Sequence, residues 1–168
     1  MNRQRLLFIA RFLVLLAVFY VAISNTFADR IAVQPFTAGI ATVAAALLRV
    51  FGDAVHRQGT LLTSPTFAVE IKTGCNGVEA MLVLVAAIVA YPAPWRRKAI
   101  GAAAGIAVIQ LLNLARVLML FIIGRDYPAR FELFHVVIGQ SVIFLASIGI
   151  FLLWSSTLAA SSPRQSHG

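Results

Sequence analysis

The chain has 168 residues, 60% of them hydrophobic and only 12% charged, with a mean hydropathy of +0.89. Soluble domains carry about a quarter charged residues, so this composition excludes a soluble globular protein and describes an integral membrane protein. The net charge of +8 then reads as membrane topology rather than nucleic-acid affinity, and the single cysteine excludes a disulfide framework or a multi-cysteine metal site.

This length predicts one bundle of about four to six membrane segments without a separate soluble domain. Arg3, Arg5 and Arg11 precede or enter the apolar run 6–23, which is long enough to span the bilayer, and their charge places the N-terminus in the cytoplasm. Thr26-Phe27-Ala28 fits a signal-peptidase site. The run before it is longer than a usual signal core, so a retained anchor is expected.

Residues 35–51 place Phe36, Ile40, Val43, Leu47 and Val50 at helical spacing. If this helix crossed the bilayer, the basic turn Trp95-Arg96-Arg97-Lys98 would fall outside, against the positive-inside rule. It is therefore expected at the outer interface, or dipping in without crossing. Residues 59–72 read as a hairpin of two short strands around Ser64-Pro65, because Phe67, Val69 and Ile71 alternate with smaller or charged residues. Structural support for the next segment is its expected role; strand addition by an extended peptide is the alternative.

The hairpin leads into Thr73-Gly74-Cys75-Asn76-Gly77-Val78-Glu79-Ala80-Met81, where two glycines relax the backbone on either side of the only thiol. A helix over 78–91 comes next and ends at Pro92-Ala93-Pro94 and the cytoplasmic cluster Arg96, Arg97 and Lys98. Residues 100–123 return outward, 124–134 form an outer loop, and 135–154 make the last helix. Residues 155–168 are expected to form a polar, disordered cytoplasmic tail. Residues 1–154 are thus expected to be a single membrane-embedded domain.

Ionisable groups within these helices cost enough to mark function. Gln110, Asn113 and Arg116 repeat every three residues and form one polar stripe facing the bundle interior. Glu79 lies four residues after Cys75 and is expected one helical turn below the thiol, ion-paired with Arg116. Glu132 and His135 are spaced i, i+3, so the carboxylate can orient the imidazole. A thiol, a guanidinium and an imidazole on three helices answer the needs of cysteine acyl transfer: nucleophile, oxyanion donor, and acid/base.

Thr73-Gly74-Cys75-Asn76-Gly77-Val78-Glu79-Ala80-Met81, Asn113-Leu114-Ala115-Arg116-Val117-Leu118 and Phe131-Glu132-Leu133-Phe134-His135 together resemble the exosortase/archaeosortase family of multi-pass membrane cysteine transpeptidases. The short length, the wording around Cys75 and the hairpin before it are most similar to the exosortase H type. The resemblance implies Cys75 as nucleophile, Arg116 as oxyanion or substrate-binding residue and His135 as acid/base, with Asn76, Gly77, Glu79, Asn113 and Glu132 in support. It also implies substrate proteins ending in a sorting signal of IPTL type, a membrane helix and a basic tail, passed to an envelope acceptor that the sequence does not name.

The expected fold is an all-α bundle of four spanning helices, one interfacial or re-entrant helix and a small extracytoplasmic hairpin. It would lie in the cell inner membrane with the site outside, and use no cofactor, metal or nucleic acid. Two other readings remain open: a non-catalytic assembly factor whose polar residues are interhelical glue, and a small transporter or channel.

Overall fold

A computed structural model describes residues 3–160. The helices are α1 (Arg3–Ile23), α2 (Thr26–Ala28), α3 (Gln34–Val50), α4 (Val78–Ala90), α5 (Trp95–Asp126) and α6 (Gln140–Ala160). A π-helical turn, Asp29–Val33, joins α2 to α3, and a second, Leu133–Gly139, leads into α6. Three short strands, β1 (His56–Gln58), β2 (Leu61–Thr63) and β3 (Ala68–Glu70), form one antiparallel sheet in that order.

The 32-residue α5 is the mast of the bundle. At 1.5 Å per residue it is about 48 Å long, well beyond the roughly 30 Å of hydrocarbon. At its Trp95 end the rings of Phe8, Tyr91, Phe151 and Trp154 interlock, with centroids 5.7–6.2 Å apart along the chain of contacts. Gly101 lets the Trp154 ring close onto α5, since a Cβ there would collide with the indole. Ala80, Leu84, Ile88, Ile109 and Ile143 make the core of this half.

The Asp126 half has its own core, in which Ala44, Ala45 and Leu48 of α3 meet Leu62 and Ile71 of the sheet region and Val117 and Phe121 of α5. Its far end is fastened by Arg125, which pairs with both Asp126 and Asp53 just beyond α3.

Four helical runs are long and apolar enough to cross a membrane: Arg3–Ile23, Thr26–Val50, Trp95–Asp126 and Pro128–Leu158. The number matches expectation, but the membership does not. The helix expected to span at 78–91 has only 13 residues, because its first turn is recessed beside the middle of α5. The helix expected at 35–51 begins instead at Thr26. Pro35 has the character of a helix start, but the chain is already helical there: the π-turn before it absorbs the bond that proline cannot make.

Nor does α3 lie flat across the bundle. Its first turn sits at the level of Asn76, bonded through Thr37, while the loop after it pairs with Arg125 at the end of α5. It therefore stands upright and runs in the same direction as α5. The α1 helix also runs that way, from Phe8 against Tyr91 to Tyr20 and Ile23 in a groove shared with Glu79. Stacked lengthwise, α1 and α3 carry the chain from beside Tyr91 to beside Arg125, as two antiparallel crossings would not.

Three local expectations change as well. The hairpin has a third strand, β1, missed because His56-Arg57-Gln58 is wholly polar; it pairs with β2 across a two-residue turn in which Gly59 takes φ +62°. The loop expected at 124–134 is mostly helical, since α5 runs to Asp126 and a 3-10 turn covers Pro128–Arg130. The final helix continues through Ala160, beyond its expected end at 154; residues 161–168 of the expected tail lie outside the described residues.

Candidate functional site

Cys75 sits in the turn before α4, outside the helical segments. Gly74 and Gly77 on either side of it take φ of +90° and +75°, a region that side chains with a Cβ avoid. Gly77 is also closely packed: a Cβ would stand 3.0 Å from Gln110 Nε2 and 3.1 Å from Asn113 Cγ. The turn is thus pressed against α5.

Asn76, fully buried, locks it in place. Its Nδ2 donates to Thr37 Oγ1 at 2.9 Å, and its Oδ1 accepts from the Val78 N–H at 3.1 Å, capping the start of α4. Its carbonyl accepts from Gln110 Nε2 at 3.2 Å. Asn76 therefore ties α3, α4 and α5 together directly behind the thiol. Sequence reasoning missed Thr37, because the large side chains Phe36, Val43 and Val50 mark the other side of the helix as its apolar face, whereas the buried side is the small-residue one with Thr37, Ala41, Ala44 and Ala45.

The turn lies deep. Its Gly77 packs on Asn113, and Cys75 shares a cavity with Val117 and Leu120, nine and six residues before the end of α5, so the thiol lies roughly 9–14 Å below that end. In that recess the Sγ of Cys75 lies 3.6 Å from Nε2 and 3.7 Å from Nδ1 of His135. Either ring nitrogen is within reach of the thiol proton, depending on tautomer.

His135 is carried by the π-helical turn Leu133–Gly139; such turns often mark functional positions in helices. The Phe131 ring stacks on the imidazole at 5.5 Å and 13°. Phe131 in turn meets Phe67 edge-on at 5.8 Å, and Phe67 meets Phe121 at 5.7 Å. The imidazole is thereby held by an aromatic chain that begins in the core. Glu132, expected to orient it, is exposed and makes no hydrogen bond to it among the described residues. The wider π winding breaks the i, i+3 relation on which that expectation rested.

Arg116 is buried and donates from one terminal nitrogen to the His135 carbonyl and to Gln140 Oε1, both at 3.3 Å. Gly139 provides its space: a Cβ there would stand 2.6 Å from Arg116 Nε and 2.8 Å from the Phe134 carbonyl. Gly139→Ala is therefore expected to displace the guanidinium and lower activity about a hundredfold, the effect of an ångström-scale misplacement. Steady-state rates at equal protein level in membranes check this. Gln110 and Asn113 continue the expected polar stripe inward, although the fully buried Asn113 amide has no hydrogen-bond partner among the described residues.

The expected Glu79–Arg116 ion pair does not form. The i, i+4 argument needed residues 75–79 to be one helix, and Gly77 ends that continuity two residues after the thiol. Glu79 instead borders a groove with Leu13, Tyr20, Ile23 and Phe144.

Burial pushes the Cys75 thiol above its ordinary pKa. The charge of Arg116 pulls it down, while Glu79 adds to the rise. The rise wins, so the resting sulfur is a protonated thiol that needs a base. Removing the arginine charge should raise that pKa further and leave less thiolate at a given pH. Arg116→Gln is thus expected to slow Cys75 alkylation by a small haloacetamide at pH 8, with the rate-against-pH curve displaced upward. An unchanged curve would show that the guanidinium does not act on the sulfur.

The site is walled by β3. Val69, Glu70 and Ile71 line a small cavity of about 20 Å³ together with Cys75, Val117, Leu120, Phe131 and His135. A larger groove of about 780 Å³ begins at Thr73 and runs past Glu70 and Lys72 to Asp29, Arg30 and Gln34.

A helical bundle with long apolar helices, holding a thiol and an imidazole in contact within a recess, defines a multi-pass membrane protein with a cysteine–histidine site. The family model for transmembrane exosortases matches residues 3–153, and the chain belongs to that family, one of membrane cysteine peptidases and transpeptidases. No curated protein and no solved structure matches it.

Proposed function

We propose that this exosortase is a cysteine peptidase or transpeptidase that cuts the C-terminal sorting signal of exported membrane proteins, with Cys75 as nucleophile, His135 as acid/base and Arg116 as electrostatic partner. The observation that carries the reading is the 3.6 Å approach of Cys75 Sγ to His135, made by two segments 60 residues apart in a chain of this family.

In the proposed reaction His135 takes the thiol proton as sulfur attacks the substrate carbonyl. The oxygen gains negative charge, and Arg116, whose Nε has no hydrogen-bond partner among the described residues, lowers the cost of that charge together with N–H groups of the glycine-rich turn. The intermediate collapses by breaking the C–N bond, and the His135 proton passes to the leaving amine. A thioester remains on Cys75. An acceptor nucleophile attacks it in transpeptidation, or water in hydrolysis; in both, His135 removes the incoming proton and the thiol is regenerated.

The orientation is argued from charge. Arg3, Arg5, Arg96, Arg97 and Lys98 sit at the Trp95 end, beside Tyr91 and Trp154. This is the pattern of a cytoplasmic face with its aromatic belt, so the Asp126 end and the recess open on the extracytoplasmic side of the cell inner membrane. The substrate class is an exported protein whose tail carries an IPTL-type motif, a membrane helix and basic residues, as for the exosortase H type. The test is a reporter with that tail, co-expressed with the protein: release of the short helix-and-tail fragment supports the reading, and an intact reporter contradicts it.

A further inference from the structure

We propose that the free edge of β3 is the template on which the substrate is held, its extended segment adding to the sheet as a fourth strand that ends at Cys75. The inference rests on the protease reading and states how that same site grips its substrate.

The strand β3 is an edge, paired on one side only with β2. The ladder fixes which backbone groups are free. Val69 opposes Leu62, the Ile71 N–H donates to the Thr60 carbonyl, and the Ser64 N–H donates to the Phe67 carbonyl. Phe67, Val69 and Ile71 therefore turn their backbone groups toward β2, and Ala68 and Glu70 turn theirs away. Among the described residues no backbone partner meets Ala68 or Glu70 on that outer side.

This edge is placed where a substrate would need it. It lies five residues before Cys75, and Val69, Glu70 and Ile71 share a cavity with Cys75 and His135. Phe67, at its start, touches Phe131 in the segment that carries His135. A strand laid along Ala68 and Glu70 is thus led into the recess that holds both reacting side chains. The opposite edge, β1, carries His56-Arg57-Gln58 and is not part of that cavity.

Proteins usually blunt an exposed edge with charge, proline or a bulge. Here the only such device is the exposed Glu70–Lys72 pair at 3.2 Å, and no proline or bulge interrupts β3. Strand addition also suits a protease acting on several substrates. Backbone hydrogen bonds accept any sequence, and alternate side chains supply selectivity.

The experiment compares Glu70→Pro with Glu70→Ala, and Ala68→Pro with wild type, in membranes with the sorting-signal reporter. Proline at either position removes an outward N–H and spares the ladder to β2. Cleavage by Glu70→Pro is expected about tenfold or more below that of Glu70→Ala, as for loss of strand hydrogen bonds. Ala68→Pro should fall similarly below wild type, while haloacetamide labelling of Cys75 stays within about twofold of wild type in both proline variants.

A second series replaces single backbone amides of the reporter by esters, upstream of the cut. Rates are expected to fall at alternate positions only, the signature of one hydrogen-bonded strand edge. If a proline variant also loses labelling, the ester series decides alone. Proline variants as fast as their comparators, or ester effects without alternation, would overturn the edge proposal in an enzyme still shown active. A wild type that leaves the reporter intact would overturn the protease reading itself, and the edge proposal with it.

Discussion

Cys75→Ala is expected to abolish cleavage of the sorting-signal reporter, lowering it by at least about 10⁴-fold, as loss of a covalent nucleophile does in other acyl-transfer enzymes. The protein should still accumulate in the membrane. The Sγ contacts only the cavity wall and His135, and the turn around it is held by Asn76, Gly77 and Gln110 rather than by the thiol. Cys75→Ser should be nearly as inactive, because a hydroxyl in a site that already raises the acidity threshold of a thiol is far harder to deprotonate. The assembly-factor reading predicts the reverse: Cys75→Ala would be silent, and substitutions at Asn76 or Arg116 would deplete the protein. Measuring reporter cleavage and membrane abundance in the same cells separates the two.

His135→Ala is expected to cost about 10²- to 10⁴-fold, the range for removal of a positioned general acid/base. Burial raises the Cys75 pKa, so at neutral pH the sulfur has to lose its proton to a neighbour. The ring is the group in contact with it, 3.6 Å away. In the variant, residual activity should climb with rising pH as hydroxide generates the thiolate. Rate-against-pH profiles of wild type and variant in the same membranes make the comparison. A His135→Ala enzyme with an unaltered profile would leave the imidazole without a proton-transfer role.

The members of the site are legible in the sequence because each violates the chemistry of its surroundings. Arg116 inside an apolar helix, His135 at the head of another and one thiol between two glycines stand out against an apolar chain, which is what made them candidates. Their packing partners are not legible. Phe131, Phe67 and Gly139 look like ordinary membrane-protein residues, and only the folded chain shows an imidazole stacked on the first and a guanidinium lying over the last.

The misplaced partners of Cys75 and His135 share one physical origin, the assumption of regular helices. Regular α-helical spacing would set Glu79 under Cys75 and Glu132 beside His135. Gly77 at φ +75° and the π-turn Leu133–Gly139 each break that spacing within two or three residues. Likewise Pro35 hides a helix that begins at Thr26, and the recession of the Cys75 turn shortens α4. These features are tertiary solutions, in which backbone irregularity brings a thiol, an imidazole and an arginine together, and no local pattern encodes them.

The most direct test of the central claim is mass spectrometry of the membrane-embedded protein, quenched in acid during turnover of the sorting-signal reporter. The proposed mechanism predicts a reporter-derived acyl group on Cys75 as a thioester, released by hydroxylamine and absent in Cys75→Ala. Cleavage that proceeds with no adduct on Cys75, or that persists in Cys75→Ala, would contradict it.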